Sequence, residues 1–249
     1  MSEPRRAVVT GGNKGIGRAI VARLAGEGLS VVAMGRDRRA LDETAAAIAG
    51  TETVVCDVTD PGSVAAAFAA AGPVDVLVNN AGIAVSAPVE RISLDDWESM
   101  MRVNATAALL CIQQVLATMR ERRWGRIVTV ASMAAHQAAP YIGAYAASKH
   151  AVLGLMRAVS AEVAGTGITA NTVCPGYVRT PMTGRTIANI MEKTGRSEDE
   201  AMEALVGGGR LGRLIEPEEV AAAVAYLVGD EAAAVNGQSL LIDGGDLQR

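Results

Sequence analysis

Ala7-Val8-Val9-Thr10-Gly11-Gly12-Asn13-Lys14-Gly15-Ile16-Gly17 is the stretch that decides how the chain is read. Its first four residues form an apolar, β-branched run without alternation, the pattern of a strand buried on both faces. The glycines that follow allow a tight turn and a close approach of backbone to ligand. Gly15 to Gly17 then open a helix, whose N-terminal N–H groups favour an anion such as a pyrophosphate. The spacing Gly-x-x-x-Gly-x-Gly departs from the Gly-x-Gly-x-x-Gly fingerprint but keeps its physical parts. No Gly-Lys-Ser/Thr ending follows, which argues against a nucleoside-triphosphate loop. A glycine turn alone is weak evidence; its position between a strand and a helix gives it weight.

The same strand–helix rhythm runs outward from this stretch. Further β-branched runs occur at Ser30–Met34, Thr53–Cys56, Val74–Val78, Arg126–Ala131, Thr169–Val173 and Ser239–Ile242. Between them lie helical segments at Gly15–Gly28, Arg38–Ala49, Pro61–Ala71, Leu94–Arg122, Ala144–Gly165 and Pro217–Val228. Asp60 before Pro61, Ser93 with Asp96 three later, and Glu216 before Pro217 are helix start signals. Repeated strand–helix–strand order predicts an α/β fold: a doubly wound parallel sheet of about seven strands with helices on both faces. With no linker or composition break, residues 1–249 are expected to form a single domain. Thr180–Leu214 breaks the rhythm. Ser197 to Glu200 should start a short helix and Gly207-Gly208-Gly209 should end it, and the whole segment reads as a lid over a ligand cleft.

Composition removes several function classes. Half the residues are hydrophobic and 20% are charged, which excludes disorder. A net charge of −4 without a basic stripe argues against nucleic acid. The longest apolar run, Val220 to Val228, is too short for a membrane span, and MSEPRR leads into no signal-peptide core. The expected location is therefore cytoplasmic. Cys56, Cys111 and Cys174 are few and far apart, and with His136 and His150 they offer no metal-ligand spacing, so no metal is expected. The cysteines read as small apolar fillers.

Four further sets of residues then fall into order. Asn79-Asn80-Ala81-Gly82 follows the fourth strand, and Asn104 lies in the long helix. Ser132 follows the fifth strand, thirteen residues before Tyr145, and Tyr145-Ala-Ala-Ser-Lys149 opens the next helix. Tyr145 and Lys149 share one helix face. A phenol is a sluggish acid–base at neutral pH unless a positive charge stabilises its phenolate. A carbonyl gaining a hydride needs such a proton donor and hydrogen-bond donors for its developing oxyanion.

With Pro175-Gly176 after the sixth strand, the chain resembles the short-chain dehydrogenase/reductases over nearly its whole length. The likeness is greatest to 3-oxoacyl reductases and polyketide ketoreductases, through Val173-Cys174-Pro175-Gly176-Tyr177-Val178. The resemblance implies a single Rossmann-like domain and interconversion of a ketone and a secondary alcohol with a nicotinamide cofactor. It implies catalytic roles for Tyr145, Lys149 and Ser132, with Asn104 holding a water that links Lys149 to solvent. It places the dinucleotide against Gly11, Asn13, Lys14, Gly15, Ile16 and Gly17, against Arg36, and against the adenine-side pair Asp57-Val58. Asn80, Ala81 and Gly82 would pack by the adenine ribose, and Tyr145 and Lys149 by the nicotinamide ribose. Pro175, Gly176, Val178 and Thr180 would meet the nicotinamide side. His150 reads as structural, and so does His136, with a place facing substrate as its second reading.

Arg36, directly after the second strand, and Lys14 resemble an NADP(H)-preferring pair. A one-residue shift would present Asp37 instead and favour NAD(H). The substrate is expected to be a small carbonyl or alcohol, and the family commonly forms homotetramers. The alternative is an NAD-dependent hydroxyacyl or 3-hydroxybutyrate-type alcohol dehydrogenase. A dinucleotide-binding protein without turnover is disfavoured, because every expected catalytic residue is present.

Overall fold

A computed structural model describes residues 4–248. The outermost residues of the expected 1–249 domain, and the first three of MSEPRR, lie outside the described residues. Seven strands, β1 (Arg6–Thr10), β2 (Ser30–Gly35), β3 (Thr51–Val55), β4 (Val76–Asn79), β5 (Gly125–Val130), β6 (Ile168–Pro175) and β7 (Ser239–Ile242), form one sheet in the order β3-β2-β1-β4-β5-β6-β7. All neighbours run parallel. The chain moves outward from β1 to β3, then returns to β4 beside β1. This reversal opens a crevice at the carboxyl ends of β1 and β4, the usual ligand site of a doubly wound sheet.

Helices cover both faces. On one, α1 (Gly15–Gly26), α2 (Arg38–Ala47) and α9 (Pro217–Val228) bury Ile20, Leu24, Leu41, Val224 and Leu227. On the other, α3 (Pro61–Ala71), α5 (Ala107–Arg122) and α6 (Gly143–Glu162) bury Phe68, Ile112, Met119 and Met156. Asp60 caps α3 by accepting from the Ser63 amide at 2.7 Å, as its position before Pro61 predicts. Burial of strands on both faces holds only in the middle of the sheet. β3 and β7 are only partly covered, because an edge strand has one neighbour; Val55 is 42% exposed.

Two elements differ from the sequence reading. The expected helix Leu94–Arg122 is α4 (Leu94–Met101) joined to α5 through a π-turn at Arg102–Thr106. Its combined length and apolarity would suffice to cross a membrane, but Met100, Cys111, Ile112, Val115 and Met119 pack into the core. Within 180–214 there are two helices rather than one: α7 (Pro181–Thr194) precedes the expected α8 (Glu198–Val206). Thr180 caps α7 and Pro181 sits at its first position, a start signal the sequence reading passed over. Ser197 and Glu200 form the expected capping box of α8. The base of this segment is closed by backbone. Arg179 N donates to Ile215 O at 2.8 Å, Ile215 N donates to Tyr177 O at 2.9 Å, and the Arg179 guanidinium pairs with Glu216.

Candidate active site

At the crevice, β4 is tied to the glycine turn. Thr10 Oγ1 accepts from the amides of Asn80 (3.0 Å) and Ala81 (3.2 Å), and Asn80 Nδ2 donates to the carbonyls of Thr10 and Gly11. Gly11 adopts φ +64°, and a Cβ on Gly17 would run into the Gly11 carbonyl. The turn is thus closed too tightly for side chains. Lys14, at the N-cap of α1, makes no side-chain cap, so the first-turn amides face the crevice uncapped. Gly15 lies across from Thr180, with 3.3 Å between its Cβ position and Thr180 Cγ2. A glycine cradle with open helix N–H groups fits a pyrophosphate.

The cationic side of the crevice is also resolved. Asp37 accepts from the Ala40 amide at 3.1 Å and caps α2, so its carboxylate is engaged there. Arg36 follows β2 directly and is exposed. Lys14 and Arg36 form no salt bridge among the described residues. Asp57 accepts from Thr59 N (2.9 Å) and Thr59 Oγ1 (2.7 Å). These bonds hold its carboxyl below the usual range, with a smaller push from nearby Arg36. Val58 and Asn13 are buried, Asn13 against Gly35, and Ile16 is half-buried.

The candidate catalytic residues converge at the carboxyl ends of β4, β5 and β6. Ser132 caps a short 3₁₀ turn (Met133–Ala135), accepting from Ala134 N at 3.1 Å, and its hydroxyl is near enough to the Tyr145 phenol to favour its ionised form. Lys149 is buried, donates from Nζ to Val130 O at 3.2 Å, and lies 5.7 Å from the Tyr145 ring centre. Burial lowers the Lys149 ammonium to about 8. Tyr145 departs from the expectation of a depressed phenol. Burial pushes its pKa up, the Ser132 hydroxyl offsets part of this, and the nearby Tyr177 phenol adds to the rise. The chain's own groups leave it raised on balance; a positive charge arriving in the crevice would lower it.

Asn104 sits in the π-turn. Its amide donates to Ile83 O and Ser148 Oγ and accepts from Ile83 N, each at 2.9 Å. Ser148 Oγ in turn donates to Tyr145 O at 2.7 Å. Asn104 thus clamps the loop after β4 to the first turns of α6. Its side-chain amide is fully engaged by protein groups. A Cβ at Gly82 would lie 3.3 Å from Asn104 Oδ1 and 3.6 Å from Lys149 Nζ, so this glycine keeps the approach open.

On the far wall, Gly176 N donates to Ile242 O at 3.0 Å at the end of β6, beside Pro175. Val178 is buried and bridges to Ile215, and Thr180 accepts from Thr183 N. Sequence reasoning missed Tyr177 as a site residue and did not single out Tyr141. Tyr177 lies within electrostatic reach of Tyr145. Tyr141 has φ +70°, a conformation a tyrosine rarely adopts, and its carbonyl accepts from Ala87 N at 2.8 Å. The available signal was clustering: three of the four tyrosines fall between residues 141 and 177 in a chain that is 3% aromatic. His150 bonds the Ala146 carbonyl at 2.9 Å, a structural role as read. His136 ends the 3₁₀ turn after Ser132. All three cysteines are buried fillers, with burial pushing Cys111 up to about 12.

The profile of the short chain dehydrogenases matches residues 5–190. The chain belongs to the short chain dehydrogenase family. It is 40% identical to a protein of Streptomyces violaceoruber described as a ketoacyl reductase of the granaticin polyketide synthase, over 96% of this chain and 92% of that one. It is 34% identical to the D-beta-hydroxybutyrate dehydrogenase of Rhizobium meliloti (strain 1021), over 97% and 98%. Among solved structures it resembles an actinorhodin polyketide ketoreductase variant with NADPH, with a TM-score of 0.93 and 38% identity over 97% of each chain. As a short chain dehydrogenase, the chain is an oxidoreductase that interconverts a ketone and a secondary alcohol with a nicotinamide dinucleotide.

Proposed function

We propose that this dehydrogenase reduces an uncharged, 3-oxoacyl-type ketone with NADPH. The observation that carries the chemistry is the convergence of Ser132, Tyr145 and the buried Lys149, whose Nζ lies 5.7 Å from the Tyr145 ring centre. When bound, the dinucleotide supplies or accepts the hydride. Tyr145 gives its phenolic proton to the carbonyl oxygen as that oxygen gains charge, and takes it back in alcohol oxidation. Ser132, held by Ala134 N, orients the same oxygen. Lys149 would offer its ammonium to ribose hydroxyls and the nicotinamide's positive charge would favour the phenolate, while Asn104 fixes the loop that carries Gly82.

The substrate reading rests on charge. Neither Asn79–Val89 nor Val130–Ser148, the loops beside Tyr145, contains an Asp, Glu, Lys or Arg, and the Lys149 that follows the second is buried. A small keto acid would find no fixed cation on these loops, which disfavours the 3-hydroxybutyrate-type alternative. The cofactor reading rests on Asp37, whose capping role leaves Arg36 and Lys14 to meet a 2′-phosphate. Rates with a panel of neutral ketones and acetoacetate, under NADPH and NADH, test both readings. Arg36→Ala should cut kcat/KM with NADPH by roughly tenfold or more and affect NADH far less. Equal loss with both cofactors, or a wild-type preference for NADH, overturns the cofactor reading.

We also propose one domain whose 180–214 segment closes as a lid, in a cytoplasmic homotetramer. The tetramer is supported by the apolar surface of the α4–α5 helix, where Leu94, Trp97 and Leu109 are exposed.

A further inference from the structure

Beneath the crevice, a small, partly enclosed cavity lies between β1, β4 and β5 and the π-turn, lined by Thr10, Asn79, Asn104 and Thr129 among apolar neighbours. Its water-accessible volume is about 10 Å³, the least that admits one water molecule. Its polar lining carries a hydrogen-bond deficit. Asn79 is only 6% exposed; its Nδ2 donates to Thr129 Oγ1 at 3.3 Å, but its buried Oδ1 has no protein partner among the described residues. Exchanging the two ends of the amide moves the deficit without removing it, because Thr129 already gives its hydroxyl proton to Met156 Sδ. Thr10 has the complementary deficit. Both acceptor positions of its Oγ1 take backbone amides, from Asn80 and Ala81, so its own proton must point to a third group.

We propose that this cavity is a binding site for a single internal water, held by Asn79, and that Asn79 acts through it as a positioning residue for the dinucleotide turn. The water accepts the Thr10 hydroxyl proton and donates to Asn79 Oδ1, which meets both deficits. The consequence reaches the site. With its proton so engaged, Thr10 keeps both lone pairs on the amides of Asn80 and Ala81, and Asn80 keeps the Gly11 carbonyl. Without the water, the Thr10 hydroxyl must turn to find an acceptor and release one amide, which loosens the turn that receives the pyrophosphate. Buried polar groups of this kind are costly when unpaired, so the site should be occupied at all times.

A crystal structure of the full chain at atomic resolution tests the site, and Asn79→Leu tests its role. Density for one water within hydrogen-bond distance of the Asn79 amide and Thr10 Oγ1 is expected. In Asn79→Leu the water should be gone, the melting temperature lower, and the NADPH KM raised about fivefold, the worth of one hydrogen bond, with a much smaller fall in kcat. A merely structural role would lower the active fraction and leave KM alone. An empty cavity overturns the inference. So does a Leu variant with unchanged KM, or one that is more stable because an orphan carbonyl has been removed. Should the variant fail to fold, the wild-type density decides. That density is independent of which ketone or cofactor the enzyme prefers, so failure of the water site and failure of the proposed function are separable.

Discussion

Lys149 holds its charge where a cation is poorly solvated. It is 5% exposed, and its one described hydrogen bond is to the Val130 carbonyl. Burial brings its pKa from 10.5 down to about 8, so the folded state disfavours the ammonium relative to the unfolded chain. The sign follows from linkage: the penalty is full below about pH 8 and fades as the pH rises toward 10.5, where both states are neutral. A shift of this size corresponds to roughly 2–4 kcal/mol, offset by about 1 kcal/mol for the donor the Val130 carbonyl would lose. Lys149→Met, which keeps the length of the side chain, should therefore melt several degrees higher at neutral pH while losing ketone reduction and binding dinucleotide more weakly. The gain in melting temperature should shrink in alkaline buffer. A variant that is less stable at neutral pH contradicts this account of Lys149. The residues themselves were readable in the sequence because Ser132, Tyr145 and Lys149 sit at fixed offsets. The electrostatics were not. A phenol's burial depends on what β6 and its following loop bring over it, and Tyr177 is thirty-two positions away.

At the scale of elements, the middle of the sheet was legible because its strands are unbroken apolar runs, and Ser239–Ile242 and Pro61–Ala71 match to the residue. Two features were not legible for a physical reason. The π-turn at Arg102–Thr106 has no hydrophobic signature; it follows from Asn104 satisfying Ile83 and Ser148 across the crevice. α7 carries a start signal at Thr180 and Pro181, but it lies in a charged, Gly-containing segment and buries only Thr183 and Ile187. The same thin burial bears on motion. Across α7 and α8 only Thr183, Ile187 and Ala201 are buried, whereas the base at Arg179 and Ile215 is closed by two backbone hydrogen bonds and an ion pair. Elements with few buried contacts open at low free energy. Hydrogen exchange should show α7 and α8 exchanging rapidly in the free enzyme and becoming protected with dinucleotide and alcohol bound. The Arg179 and Ile215 amides should be protected in both states. Equal protection of α7 and α8 in the two states would make the segment a static insertion.

For the whole molecule, topology brings the site together. The reversal from β3 back to β4 sets Thr10 beside Asn80, and the next two strands place Ser132 and Pro175 at the same edge of the sheet. Residues spread from 10 to 180 thereby line one crevice, an arrangement that alternation of strands and helices predicts without any contact being known. The exposed apolar positions on the α4–α5 helix extend the argument beyond one chain: light scattering of the active enzyme should give the mass of four chains, and a monomer at micromolar concentration would refute the proposed tetramer. The central claim is that one phenol carries the proton. Its most direct test is the steady-state rate of NADPH-dependent reduction of one accepted neutral ketone by the wild type and by Tyr145→Phe, with dinucleotide binding measured alongside. The account predicts that Tyr145→Phe binds NADPH as the wild type does and loses at least about a hundredfold in kcat, the usual worth of general acid catalysis. Near-normal turnover by the phenylalanine variant would contradict it.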